Sequence, residues 1–204
     1  MVDERGEPVS PSAITALIAS RTLAQYPGAT IIHNLITSRA VPEIVEELGG
    51  TPVRTRVGHS YIKAEMAERG ARFGGEHSAH YYFADFFNAD SGLVAALHVL
   101  AALQEHEGPL SQLMAQFTRY EASGEINSQV EDQKEATQRV IDAFADRAAD
   151  VDYLDGVTVS LKDSKAWFNV RASNTEPLLR LNVEAPTRGE VDALVEEILG
   201  LIRA

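Results

Sequence analysis

Residues 10–83 alternate between helix-like and strand-like stretches, and that alternation limits the fold more than any other feature. Ser10-Pro11 starts a helix, with Ser as N-cap and Pro at the first helical position. Ile14, Leu17, Ile18 and Leu23 give it one apolar stripe, and Pro27-Gly28 stops it. Thr30–His33 then reads as a short buried strand, Ser38–Leu48 as a helix closed by Gly49-Gly50, and Thr51–Arg54 as a second strand. A helix over His59–Arg69, a strand over Arg72–Gly74 and another over Tyr81–Phe83 follow. Strands spaced by helices of this length predict a layered α/β domain with a largely parallel, mixed sheet. Such sheets bind ligands beyond the carboxyl ends of their strands. His59 and Glu76 each fall just after a predicted strand, which places both on that edge. Two helices complete the domain, one over Asp90–Ala102 and one through Leu113, Met114 and Phe117.

The polar stretch Glu121-Ala122-Ser123-Gly124 reads as a flexible joint, so the expected domains are 1–120 and 121–204. The second opens with a strand at Glu125–Val130 and a helix from about Asp132 to Ala148. Strands at Gly156–Leu161, Lys165–Val170 and Leu178–Glu184 come next, the first two joined by a Lys162-Asp163-Ser164 turn. A closing helix carries the capping box Thr187-x-x-Glu190 and a stripe of Val191, Leu194, Val195, Ile198 and Ile202. The prediction is a smaller α+β domain: an antiparallel sheet with helices on one face.

Between its last two strands lies Arg171-Ala172-Ser173-Asn174-Thr175-Glu176-Pro177. A guanidinium, two hydroxyls, an amide and several backbone N–H groups suit a phosphate, which needs many donors and a fixed positive charge. Alternation along Leu178–Glu184 sends Leu179, Leu181 and Val183 to one face and Arg180 to the other, free to lean back over the loop. The same residues are also what an ordinary polar turn contains. The formal net charge of −12 argues against general binding of nucleic acid or anionic membrane. Cations are nevertheless concentrated locally: residues 48–64 hold Arg54, Arg56, His59 and Lys63 with no Asp or Glu, and residues 166–175 are also free of acids. There is no cysteine, so neither a disulfide framework nor a thiolate metal site exists. No apolar run is long enough to span a bilayer, and the beginning lacks a signal-peptide core, which predicts a cytoplasmic protein.

The stretch 171–177, with Arg180 and Glu184-Ala185 after it, resembles the phosphate-binding loop in the last domain of the α-D-phosphohexomutases, the phosphomannomutases and phosphoglucomutases. Gly75-Glu76-His77-Ser78-Ala79-His80 resembles their sugar-recognition loop, and Gly58-His59-Ser60 a third family motif. The similarity runs over nearly the whole chain. It implies phosphate binding by Arg171, Ser173, Asn174, Thr175 and Arg180. It implies substrate binding by Glu76, Ser78, His80 and Arg39, with Glu76 accepting neighbouring sugar hydroxyls. His59 matches the histidine that shuttles the hydroxyl proton or stabilises charge during phosphoryl transfer. Two positions depart from the pattern: Ala79 stands where a glycine is usual, and Ile36 where many members carry a base, for which Arg39 or Arg56 would compensate. None of His33, His77, His98 and His106 has convincing metal-ligand spacing.

The implied reaction interconverts hexose 6-phosphate and hexose 1-phosphate through a phosphoserine and a bisphosphate intermediate. It uses Mg2+, and hexose 1,6-bisphosphate as activator. Nothing in the chain resembles the family's phosphoserine loop or its aspartate-rich Mg2+ loop. The chain therefore reads as domains three and four of a four-domain enzyme. It should bind hexose phosphate, contain no metal ligands, require the missing N-terminal domains as partners and show no turnover alone. The alternatives are a non-catalytic hexose-phosphate-binding module and a fragment of a phosphoglucosamine mutase.

Overall fold

The computed structural model describes every residue except Asn174, Thr175 and Pro177. The chain forms two compact units, Met1–Arg119 and Tyr120–Ala204.

The first unit contains helices α1 (Pro11–Gln25), α2 (Ala40–Glu47), α3 (His59–Arg69), α4 (Gly92–Glu105) and α5 (Leu110–Ala115). Its strands are β1 (Thr30–Asn34), β2 (Thr51–Thr55), β3 (Phe73–Gly75), β4 (Tyr81–Phe83) and β5 (Ala89–Asp90), in the order β2-β1-β3-β4-β5. β1 lies parallel to both β2 and β3, whereas β4 runs antiparallel to β3 and β5 antiparallel to β4. The sheet is therefore mixed, with three parallel strands whose carboxyl ends lie at Asn34, Thr55 and Gly75. Ile31, Ile32, Phe73 and Tyr82 are fully buried, as expected where helices cover a sheet on both faces. Helix α1 starts at Pro11 without the expected cap bond from the Ser10 side chain. Helix α4 starts two residues later than the pattern suggests. Asp90 is taken by β5, and the Ser91 hydroxyl oxygen caps the helix by accepting from the Val94 N–H at 3.2 Å.

The second unit has strands β6 (Glu121–Gln129), β7 (Ala148–Asp152), β8 (Val157–Leu161), β9 (Trp167–Ala172) and β10 (Leu178–Ala185), with helices α6 (Gln133–Phe144) and α7 (Arg188–Ile202). The sheet is antiparallel throughout, in the order β6-β10-β9-β8-β7. Both helices cover one face: Ala136, Val140 and Phe144 of α6 and Val191, Leu194, Ile198 and Ile202 of α7 share a core with Val159, Phe168, Val170, Leu179, Leu181 and Val183.

Two expectations fail here. The stretch 121–124, read as a joint, is the first half of β6. It pairs with β10 through a bulge in which Gly124 adopts φ +71° and the Ser123 hydroxyl accepts from the Val183 N–H at 2.9 Å. A left-handed glycine that signals a linker in sequence also makes a strand bulge. The helix expected to reach Ala148 ends at Phe144, and Ala148–Asp152 becomes an edge strand on β8. Its Ala and Asp residues have poor strand propensity, so pairing with β8 decides its conformation.

Candidate functional site

In the first unit, residues from the ends of three parallel strands converge on one carboxylate. Glu76 follows β3 and is 1% exposed. Its Oε2 accepts from the Asn34 side-chain amide at the end of β1 and from the Gly58 N–H after β2, both at 3.2 Å. Its Oε1 accepts from the Tyr82 hydroxyl at 2.6 Å. Glu76 is therefore not a solvated surface acid. Three of the roughly four lone-pair directions of an ionised carboxylate are filled by protein donors. The loop closes on itself, since the Glu76 N–H donates to the His80 carbonyl (2.9 Å) and the Ala79 N–H to the Glu76 carbonyl (3.1 Å). That closure puts Ala79 in the left-handed region at φ +65°, where a Cβ costs about 1–2 kcal/mol relative to glycine. The alanine in place of the usual glycine thus leaves the turn intact but strained.

His59 opens α3 and is exposed, yet its Nδ1 lies 2.6 Å from the same Tyr82 hydroxyl. The His80 ring stands edge-on to it with centroids 4.3 Å apart. His80 Nδ1 contacts Asp90 Oδ2 at 2.8 Å, and Asp90 Oδ1 accepts the Tyr81 N–H at 2.9 Å. Burial and the hydrogen bond to Glu76 raise the Tyr82 hydroxyl far above the ordinary tyrosine range, so it keeps its proton. The structure thus joins His59, Glu76 and His80 in one group. Ser78 is exposed in the same loop, and Arg39 is half-buried at the residue before α2. Ile36 is 5% exposed and packs in the core. Arg56, one of the two residues offered as compensation for it, lies over the Tyr61 ring at 4.9 Å.

In the second unit, Arg171 on β9 and Arg180 on β10 are register partners across an antiparallel pair, on the face away from the helices. Arg171 is 7% exposed, and its Nη2 donates to Glu125 Oε2 at 2.7 Å. Arg180 Nη1 lies 3.6 Å from the other oxygen of Glu125, and Arg180 Nη2 donates to the Ser173 hydroxyl at 3.3 Å. Two guanidiniums share one carboxylate, and the Nε–H of each is buried without a partner among the described residues. Glu176 Oε2 also lies 3.8 Å from Arg180 Nη2, so two carboxylates balance the two guanidiniums, and the unsatisfied Nε–H donors are what an oxyanion would engage. Asn174 and Thr175 lie outside the described residues.

Sequence reading missed Tyr82, Asn34, Asp90 and Glu125. Tyr82 looked like strand packing, which its ring is. Glu125 was hidden because residues 166–175 are acid-free along the chain, while β6 brings a carboxylate from 46 residues away.

Among the described residues, one group of side chains is close enough to share a cation: His59, His80 and Asp90, with one ligand atom from each within 4.8 Å of the others. Two imidazoles and a carboxylate already paired to His80 do not suit Mg2+, which takes an octahedron of hard oxygen ligands. No step is assigned to Mg2+ on these residues.

The first unit is thus a mixed α/β sheet with a polar group at its parallel carboxyl edge, and the second an antiparallel sheet bearing paired arginines. The chain belongs to the phosphoglucomutase/phosphomannomutase family: residues 10–120 match the family's alpha/beta/alpha domain III and residues 125–201 its C-terminal domain. The phosphomannomutase of Methanocaldococcus jannaschii is 42% identical over 202 residues, covering 99% of this chain and 44% of that protein. The Escherichia coli K12 phosphomannomutase is 40% identical over 192 residues, 94% of this chain and 41% of that one. A crystal structure of a Burkholderia thailandensis phosphoglucomutase/phosphomannomutase family protein superposes with a TM-score of 0.84 at 27% identity, over 99% of this chain and 43% of that chain. The chain thus spans less than half the length of these relatives. Among its described residues, no helix is long and apolar enough to cross a membrane.

Proposed function

We propose that this chain is the hexose-phosphate-recognising part of a phosphomannomutase/phosphoglucomutase, which interconverts hexose 6-phosphate and hexose 1-phosphate through a phosphoserine and a bisphosphate intermediate. The second unit supplies the phosphate anchor: Arg171, Arg180 and Ser173, with Asn174 and Thr175. The first supplies the group that works on hydroxyls: Glu76, Ser78, His80 and Arg39 for binding, and His59 for proton transfer. Hydrogen bonds to charged groups contribute about 1.5–3 kcal/mol each, so several donors at 171–180 hold a phosphate against its hydration.

The observation that carries this reading is the pair of guanidiniums on Glu125, each with a buried Nε–H that has no partner among the described residues. Glu76, with three donors already, offers about one further lone pair to a sugar hydroxyl. Gripping a second hydroxyl requires displacement of one of those donors.

Calorimetry on the chain tests the proposal. Mannose 6-phosphate should bind and free mannose should not, and Arg171→Ala should weaken binding more than tenfold. Failure of mannose 6-phosphate to bind at millimolar concentration refutes the anchor. With Mg2+ and the bisphosphate activator added, turnover by this chain should stay at the blank rate, and turnover above it overturns the division of labour.

A further inference from the structure

The Tyr82 hydroxyl has a single hydrogen and two partners at 2.6 Å, Glu76 Oε1 and His59 Nδ1. An ionised carboxylate only accepts, and the other two contacts of Glu76 are also with donors, Asn34 Nδ2 and the Gly58 N–H. Tyr82 therefore gives its hydrogen to Glu76, and its oxygen is left to accept. For the 2.6 Å contact to be a hydrogen bond, His59 must bring the proton on Nδ1. We propose that Tyr82 is a positioning residue which, oriented by Glu76, locks His59 in the Nδ1–H tautomer, so that Nε2 is the one nitrogen that takes up and releases a proton.

The fixed element is well held. Tyr82 is fully buried at the centre of β4, paired to Gly74 of β3, with its ring in the cluster of Ile32, Ile62, Met66 and Ala71. A phenol packed this way cannot rotate its oxygen away from both partners. Burial and the hydrogen bond to Glu76 also favour the protonated phenol, so Tyr82 has a hydrogen to give to Glu76. In the imidazolium form Nδ1–H is still donated to Tyr82, and the added hydrogen sits on Nε2. The other groups around His59 are His80, at 4.3 Å between ring centroids, and beyond it Asp90, which takes up His80 Nδ1. Neither occupies His59 Nδ1.

The consequence for catalysis, that the proton exchanged with a substrate hydroxyl moves through Nε2, rests on the mutase reading. The tautomer does not, and it can be read from this chain alone. Nitrogen-15 NMR of the imidazole rings, with His59 assigned by loss of its signals in His59→Asn, should show a protonated Nδ1 and an unprotonated Nε2 for neutral His59. Glu76→Gln supplies the directional control. Gly58 and Asn34 still need an acceptor, so the carbonyl oxygen of the substituted side chain takes the Oε2 position and its NH2 faces Tyr82. Tyr82 then accepts from that NH2 and donates to His59 Nδ1, and the majority tautomer of His59 switches to Nε2–H. Tyr82→Phe should also release the lock, with loss of the Nδ1–H majority.

The proposal is overturned if neutral His59 in the unsubstituted chain is mainly Nε2–H, a measurement that needs no variant to fold. It is equally overturned if folded Glu76→Gln keeps the Nδ1–H form. If the tautomer is as stated while mannose 6-phosphate fails to bind, the mutase reading falls and the Tyr82 lock stands.

Discussion

Glu125→Gln removes the charge shared by Arg171 and Arg180 while keeping the shape of the side chain. Across 2.7 Å and 3.6 Å the two attractions amount to about 6 and about 5 kcal/mol at an effective dielectric near 20. Desolvation cancels much of this, because the Arg171 side chain is only 8% exposed. Removing one partner of a buried pair costs about 3–5 kcal/mol, but the glutamine carbonyl still accepts from Arg171. The expected loss of stability is therefore about 2 kcal/mol, read from the urea midpoint. Phosphate affinity should move the opposite way. In the unsubstituted chain an incoming phosphate on the Nε–H groups is repelled by the carboxylate already seated on both guanidiniums. Recovering even a quarter of one gross attraction, about 1.4 kcal/mol, tightens binding tenfold. Calorimetric titration with mannose 6-phosphate, and with inorganic phosphate, should show at least that gain and a steeper fall with salt. Unchanged or weaker phosphate binding by folded Glu125→Gln would refute the idea that the carboxylate repels ligand at the two arginines.

Ala79→Gly should raise stability by about 1 kcal/mol, because the left-handed backbone at φ +65° no longer carries a Cβ; a thermal melt reads the sign. Gly75→Ala should destabilise by about 1–3 kcal/mol, since the new Cβ meets the buried Thr15 side chain, itself hydrogen-bonded to the Pro11 carbonyl; the urea midpoint measures it. His33 is buried in β1, and burial lowers its pKa from 6.5 to about 4. Its neutral form favours the fold, so this contribution is complete above pH 6.5 and is lost as pH falls towards 4. Over that window it amounts to about 3 kcal/mol at about 1.4 kcal/mol per unit. His33→Gln, which keeps an amide donor for the Asn34 carbonyl but cannot titrate, should flatten the dependence of stability on pH between 4 and 6.5 by close to one proton.

The sequence by itself determined the class of each half. Helical stripes such as Ile14, Leu17 and Ile18, and runs such as Thr30–His33, have periods that suit one kind of element and bury one face, so alternation in the first half and hairpins in the second follow from local chemistry. The stretches that resemble the family's phosphate and sugar loops were legible for a related reason, since each is a short contiguous string. Only the tertiary structure decided what those strings meet. Glu125 reaches Arg171 and Arg180 from a neighbouring strand, Tyr82 links Glu76 to His59 across the sheet edge, and Ala148–Asp152 is a strand because β8 offers it hydrogen bonds. Glu125 lies 46 residues from Arg171 and Tyr82 23 from His59, and even the six-residue spacing of Tyr82 from Glu76 follows no local period. Hydrogen bonding and charge compensation act through space, and the fold alone sets those distances.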